Sequence, residues 1–417
     1  MAGIVILCCG YVLSQFFRSF LAVLAPTLID ELGVGADDLS FALGAWFGAF
    51  SLMQFPVGIW LDRYGPRRTG GFLLAVAAAG AAMFALSTGA AGLIGAMALI
   101  GIGCSAVLMS AMYIFARQFD AARFAALSSV FIAGGNLGNI LGSAPLAAAV
   151  AAWGWRATLG GLSAASLLVA IGVLAVVRDP ARVESPNVGR EGGFRDLLAI
   201  GALWPIFPCI FLGYAVAGGM RGIWSGPYFA GMHGWSNAEI GGVALAMAMA
   251  LTVGGLGYAP LDRVFNTRKW VVMAGAMPVL AAIGGLAIRP APDAATAALA
   301  MTAICLFGTS YAVTMAHGRA FVPLHLTGRG VTLLNFFSIS GAGFMQFVTG
   351  KVFAWSGGAA AGAEAYRAVF IAYAVALAAS LALYAWSRDA RPSEDGASTA
   401  QRPIGQSPGK SRPWSAG

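Results

Sequence analysis

The chain has 417 residues, of which 59% are hydrophobic and only 10% charged, with 25 Lys and Arg against 17 Asp and Glu for a net charge of +8. A soluble globular chain carries about 25% charged residues, so the composition excludes a water-soluble protein and predicts a membrane one. The five cysteines (Cys8, Cys9, Cys104, Cys209, Cys305) lie inside apolar runs with no CxxC and no Cys/His cluster, which gives a disulfide frame or a zinc site no support and predicts buried small apolar residues.

Crossing a ~30 Å hydrocarbon core as a helix takes ~20 residues. Twelve apolar runs meet that length, at about 4–28, 40–60, 70–88, 92–115, 124–150, 157–177, 199–228, 239–258, 270–288, 295–318, 331–355 and 366–387. Strands of a membrane barrel would be ~10 residues long and alternating, so the expected class is all-α integral membrane with twelve transmembrane helices. The first run has no Lys or Arg ahead of it and carries Arg18 in its middle, so it is expected to be a span and not a signal peptide. Six runs make an N-terminal bundle (1–177). A polar stretch with four acids, four bases and two prolines forms a cytoplasmic linker (178–198). Six more runs make a C-terminal bundle (199–388), and a Pro/Ser/Gly-rich disordered cytoplasmic tail follows (389–417).

The positive charge is distributed by topology and is no nucleic-acid footprint. With the N-terminus inside, 19 of the 25 basic residues fall on the cytoplasmic side and four on the other (Arg156, Arg289, Lys351, Arg367). That bias predicts a multi-pass inner-membrane protein with both termini cytoplasmic.

The chain also repeats itself. Leu61-Asp62-Arg63 returns as Leu261-Asp262-Arg263, each in a short charged loop between apolar runs, and Pro26/Pro227 and Gly33/Gly234 are each 201 apart. Two similar six-helix halves, with the loop Gly58-Ile-Trp-Leu-Asp62-Arg63-Tyr-Gly65-Pro-Arg67-Arg68 after the second helix, resemble the major facilitator superfamily. The resemblance covers about residues 4–387. It implies two pseudo-symmetric bundles that rock about a central site. It also implies gating roles for Gly58, Asp62, Arg63, Gly65, Arg67 and Arg68, with Asp62 facing the N-terminus of helix 11 across the seam. The bases can pair acids such as Asp120, and Asp262 and Arg263 mark the second copy. The plain alternative is that the bases only follow the positive-inside rule, but Asp62 beside them is not explained by topology.

Only Arg18 and Arg221 lie deep in apolar runs, in helices 1 and 7, and no acid lies in a helix core to neutralise them. Each costs ~2.5–3.5 kcal/mol on insertion scales, and guanidinium forks suit carboxylate and phosphate oxygens. An anion site at the midplane is therefore expected; the alternative is that both bond backbone carbonyls. Arg18 eight residues before Pro26 is similar to the organophosphate:phosphate antiporter branch, where a helix-1 Arg binds phosphate and a helix-7 Arg faces it. The chain departs from that branch at Ser19, where a Lys is usual, and in helix 5, which lacks the His. Gln15, Trp224, Tyr228, Tyr113, Asn136, Asn139, Asn335 and Gln346 are further candidates for the cavity, each weighed against an interhelical hydrogen bond. His317 and Arg319 are expected in a gate or structural role. Gly134, Gly138 and Gly142 form a close-packing face on helix 5.

The expected function is transport of a small organic anion, a carboxylate or a phosphate ester, by exchange or facilitated uptake. A proton-coupled drug or metabolite exporter and a non-transporting sensor on the same fold are the alternatives. No nucleotide loop, metal cluster or nucleophile–base motif appears, so no enzyme, cofactor or metal is expected. The expected partners are the small-molecule anion and the lipid bilayer, without nucleic acid, and the chain is expected to be monomeric.

Overall fold

A computed structural model describes residues 2–119, 121–180, 194–258, 260–323 and 327–393. Every regular element among them is helical. Helix α1 runs as Ala2–Phe16 and Phe20–Leu32, bent by 48° at the turn that holds Arg18. A 50-residue helix, Ala36–Ala85, follows. At 1.5 Å per residue it is ~75 Å long, more than twice a ~30 Å membrane, so it counts as two spans, α2 and α3. The division is at Gly65, whose φ of 80° and ψ of 165° leave the helix, and Pro66 then starts α3 where its missing N–H costs nothing.

Helix α4 is Ala90–Gln118. Helix α5 is built from Ala121–Gly135, Leu137–Leu141 and Ala144–Trp153, with a 43° bend before the last piece. Helix α6 is Trp155–Val176. The second half repeats the plan with α7 (Gly201–His233), α8 (Asn237–Tyr258), α9 (Lys269–Ile288), α10 (Ala294–Ala320), α11 (Thr327–Trp355) and α12 (Ala363–Tyr384). That makes twelve spans in two bundles, as the apolar runs lead one to expect. With an even number of spans, α1 begins and α12 ends on one side, here termed the terminal face.

The repeat is visible in the backbone. Gly33 and Gly234 end α1 and α7 in the left-handed region with nearly the same angles (φ 63° and 66°, ψ 25° in both). Each donates its N–H to the carbonyl four residues back, Ile29 and Ala230. Any side chain there would be strained. The glycine face of α5 packs on α1: a Cβ on Gly138 would lie 1.9 Å from the Val12 carbonyl. Gly341 of α11 lies against the Phe211 carbonyl of α7 in the same manner.

At the terminal face each bundle is tied by an aspartate placed just after its last helix. Asp179 accepts the backbone N–H of Arg67 at 2.7 Å, at the start of α3. Asp389 accepts the Thr267 hydroxyl at 2.5 Å and the N–H groups of Arg268 and Lys269 at 3.2 and 3.0 Å, at the start of α9. Burial pushes the Asp389 carboxyl up, but these bonds and nearby His317 outweigh it and hold it below the usual aspartate range. The disordered tail expected from 389 is thus corrected at its start. Asp389 is docked, Ala390 is buried, and the Ser393 N–H bonds Asn266, while 394–417 lie outside the described residues. Within the expected linker, a short helix spans Phe194–Leu198, and 181–193 lie outside the described residues. The cysteines divide: Cys104, Cys209 and Cys305 are buried as expected, but Cys9 is exposed on α1 and Cys8 half-buried.

Away from the terminal face the bundles meet closely. Asn237 donates to Thr27 at 2.5 Å, and the Ser40 hydroxyl donates to the Gln346 carbonyl at 2.8 Å. Ser51 and Ser340 hydroxyls lie 2.6 Å apart. Gly226 of α7 comes so near α1 that a Cβ would sit 1.8 Å from the Ala22 carbonyl.

Candidate functional site

Between these seals and the terminal face lies a cavity of about 300 Å³ where both bundles contribute walls. Tyr11, Gln15 and Arg18 come from α1, Phe50 from α2, Leu108 from α4, and Ile132 and Asn139 from α5. The other bundle supplies Tyr214 from α7, Leu251 from α8, Thr309 and Tyr311 from α10, and Asn335, Ser338 and Ile339 from α11. No acidic side chain is among these lining residues.

Arg18 sits in the break of α1, where the chain turns between Phe16 and Phe20. Its guanidinium carbon lies 5.0 Å from the ring centres of both Trp46 and Phe50, four residues apart and so on one face of α2. Each cation–π contact is worth about 0.5–2 kcal/mol, which offsets part of the ~2.5–3.5 kcal/mol of placing Arg mid-membrane. Its Nε is buried without a hydrogen-bond partner, and among the described residues no carboxylate pairs with the group. The side chain is positioned by rings and left with its donors unspent.

Arg221 has a different setting. It lies in a π-helical segment of α7, Met220–Trp224, and is only 2% exposed. Nη1 donates to Asn139 Oδ1 at 2.6 Å, Nη2 donates to the Tyr214 hydroxyl at 3.1 Å, and Nε has no partner. Arg221 is not part of the cavity wall. It stands behind two residues that are, and through Asn139 it links α7 to α5 of the other bundle. The 201-residue repeat explains why: Pro26/Pro227 and Gly33/Gly234 put Gly219, not Arg221, opposite Arg18. Arg221 is thus two residues out of register with Arg18.

The remaining candidates separate. Gln15 lines the cavity and donates to the Tyr11 hydroxyl at 3.2 Å; Asn335 lines it and accepts the Tyr311 hydroxyl at 2.7 Å. Asn136 accepts from Asn139 at 3.4 Å, one turn from the wall. The other four are spent elsewhere. The Trp224 indole donates to Thr349 at 3.1 Å, and the Tyr228 hydroxyl donates to the Pro290 carbonyl at 3.0 Å. Gln346 is the partner of Ser40 in the seal, and Tyr113 bonds Asp62 near the terminal face with Arg117 4.7 Å from its ring. Sequence reasoning missed Tyr11, Tyr214, Tyr311, Trp46 and Phe50. Two of them had a signal, since Tyr11 and Tyr214 each precede an arginine by seven residues, two helical turns.

The charged loops make contacts inside their own bundles. Asp62 takes Tyr113, and Arg67 bonds Asp179 through its backbone and the Leu174 carbonyl through its side chain. A Cβ on Gly65 would collide with the Asp179 carboxylate, while Gly58 is in open space and Arg63 stacks on Tyr64. Arg68 is exposed, and Asp120 lies outside the described residues. Asp262 pairs with Arg268 at 3.5 Å, and Arg263 is exposed. His317 is fully buried, within 2.6 Å of the Tyr384 hydroxyl and 2.9 Å of the Arg388 carbonyl, which makes it a tie between α10 and α12.

A family described as the Major Facilitator Superfamily matches residues 7–345. The chain belongs to the major facilitator superfamily. Solved structures of this superfamily architecture agree at the level of fold. A bacterial homolog of the human lysosomal transporter Spinster, inward-facing and unoccupied, superposes with a TM-score of 0.72 at 17% identity, over 92% of this chain and 95% of that one. The nucleoside transporter NupG gives 0.70 at 15% identity over 93% and 100%, and a D-xylose-proton symporter 0.71 at 14% over 90% and 96%. No curated protein matches in sequence. Membership of this superfamily makes the chain a multi-pass transporter of small molecules and not an enzyme.

Proposed function

We propose that this superfamily member carries a small organic anion, bearing a carboxylate or a phosphate ester, by alternating access in a bacterial-type inner membrane. The observation that carries the reading is Arg18: a guanidinium in the cavity wall, positioned by Trp46 and Phe50, with no carboxylate among the described residues to neutralise it. A carrier closing around an empty cavity would enclose that charge unpaired. A bound anion removes the penalty and adds charge-assisted hydrogen bonds of ~1.5–3 kcal/mol each. Tyr11, Gln15, Tyr214, Tyr311 and Asn335 surround it with neutral donors, and Leu108, Ile132, Leu251 and Ile339 suit an apolar body on the substrate. A cationic drug finds no acid in this wall.

The positive-inside bias makes the terminal face cytoplasmic and both termini internal. The cavity then lies on the inner side, the seals at Thr27–Asn237 and Ser40–Gln346 form the outer gate, and the conformation is inward-facing. Asp62 and Arg67 bond within their own bundle in this state, and their loop is the segment that meets the other bundle when the inner side closes. The boundaries 1–177 and 199–388 define the two moving bodies.

The test is counterflow in proteoliposomes with a panel of carboxylates and phosphate esters. An anion accepted by the wild type and lost with Arg18→Ala is the expected result. Transport of a neutral or cationic solute that survives Arg18→Ala defeats the assignment.

A further inference from the structure

A second recess lies outside the substrate path, on the membrane-facing surface of the C-terminal bundle. It has a volume of about 770 Å³ and sits among α8, α9 and α10. Missing side chains make it. Gly257 opens on free space, Gly254 and Gly275 let the Leu306 carbonyl and the Tyr258 hydroxyl close in as walls, and Ala274 and Pro278 add little bulk. Tyr258 fixes one wall by donating to the Phe307 carbonyl at 3.0 Å. From Trp270 to Pro278 the recess follows nine residues, eight helical steps, of α9. That is about 12 Å at 1.5 Å per residue, nearly the ~15 Å of one hydrocarbon leaflet.

The mouth is chemically distinct from the floor. It opens at the terminal face beside the loop that joins α8 to α9. Phe265 and Trp270 are 65% and 60% exposed there, as expected for rings at a headgroup boundary. The Lys269 ammonium is 5.3 Å from the Trp270 ring centre and donates to the Ala385 and Ser387 carbonyls. Arg263 is exposed and joins no described ion pair, since Asp262 is engaged by Arg268. An apolar trench nearly one leaflet deep, with two cations beside its mouth that join no ion pair among the described residues, matches a molecule with an acyl chain and an anionic head.

We infer that this recess is a binding site for an anionic phospholipid of the leaflet at the terminal face, with an acyl chain along Gly257 and Ala274 and the phosphate at Arg263 and Lys269. The lipid would pack on the loop that holds the start of α9, and so act on the second copy of the Leu-Asp-Arg repeat. The site is independent of the substrate cavity.

The test uses the full-length protein in mild detergent. Dioleoylphosphatidylglycerol and dioleoylphosphatidylcholine are titrated in parallel, with bound lipid read by native mass spectrometry and melting temperature followed alongside. The wild type should retain phosphatidylglycerol in preference. Arg263→Gln should cut that preference about fivefold, the weight of one basic residue at a lipid surface. Gly257→Phe, whose added Cβ meets nothing within 4 Å, should fill the trench and abolish retention of the lipid. Equal retention of the two lipids by the wild type overturns the inference, as does an unchanged preference in Arg263→Gln. A dimer that Gly257→Phe dissolves would overturn it too, and assign the trench to a second copy of the chain. If Gly257→Phe fails to fold, the Arg263→Gln ratio decides alone.

Discussion

Replacing Gly226 with valine tests whether the seal on the far side from the termini depends on backbone contact between the bundles. A Cβ at this position would lie 1.8 Å from the Ala22 carbonyl, whereas ordinary contact starts at 3.4 Å. Helices α1 and α7 must therefore part by roughly 1.6 Å to accept it. A shift of that size would carry the nearby Asn237–Thr27 bond, now 2.5 Å, out of hydrogen-bond range. Overpacking costs about 1–3 kcal/mol and the lost bond about 1 kcal/mol more. Together, about 2–4 kcal/mol makes the sealed state roughly thirtyfold to a thousandfold rarer. The assay is disulfide formation between Thr27→Cys and Asn237→Cys in a background without the five native cysteines, together with transport in proteoliposomes. Cross-linking, in a background where that bond is already replaced, should fall about fivefold or more with Gly226→Val, and transport with Thr27 and Asn237 intact at least about tenfold. Gly160→Val is the control, because a Cβ there meets nothing within 4 Å. Cross-linking and transport that stay at wild-type levels in Gly226→Val would refute the reasoning.

Three further outcomes are expected. Arg18→Lys keeps the charge but loses the planar fork and the ring contacts, so substrate affinity should fall about tenfold or more, and Arg18→Gln should do worse; equal affinities for wild type and Gln would count against the site. Asn139→Ala leaves a buried arm of Arg221 without its acceptor, a penalty of about 1–3 kcal/mol or more, and should lower the melting temperature while Asn139→Asp restores it; an unshifted Ala variant contradicts the tie. Asp389 is held below the usual aspartate range, so the stability it lends is fully present above the ordinary value of about 3.9 and is lost as pH falls through its lower folded value. Asp389→Asn should therefore melt lower at neutral pH and show a flatter acid decline, and parallel curves for the two proteins would reject the effect.

Helix count, the half-chain repeat and the all-helical class follow from properties spread over whole segments: apolar length, charge bias and recurring Gly and Pro. Such signals survive without knowledge of neighbours. The site was legible only in part. Arg18 stood out because a charge in an apolar run is costly wherever it faces. Arg221 stood out for the same reason, yet its direction depends on a two-residue displacement from the repeat and on a π-helical segment, neither of which composition reports. Trp224 and Tyr228 sit at helical spacing from Arg221, but their polar tips are drawn to Thr349 and Pro290 on other helices. Trp46 and Phe50 look like ordinary membrane aromatics in the sequence. Only the bend of α1 brings Arg18 over them.

The two docked aspartates have a consequence for how such a molecule is assembled. Arg178-Asp179 and Arg388-Asp389 are the same dipeptide written after the last helix of each half, and each folds back onto the start of that half's third helix. Each bundle thus fastens its own end to its own interior. A half-length ancestor with this fastening would already have been a self-contained body. Joining two of them in one chain then required no new internal stitching, only an interface between them able to open on one side and then the other.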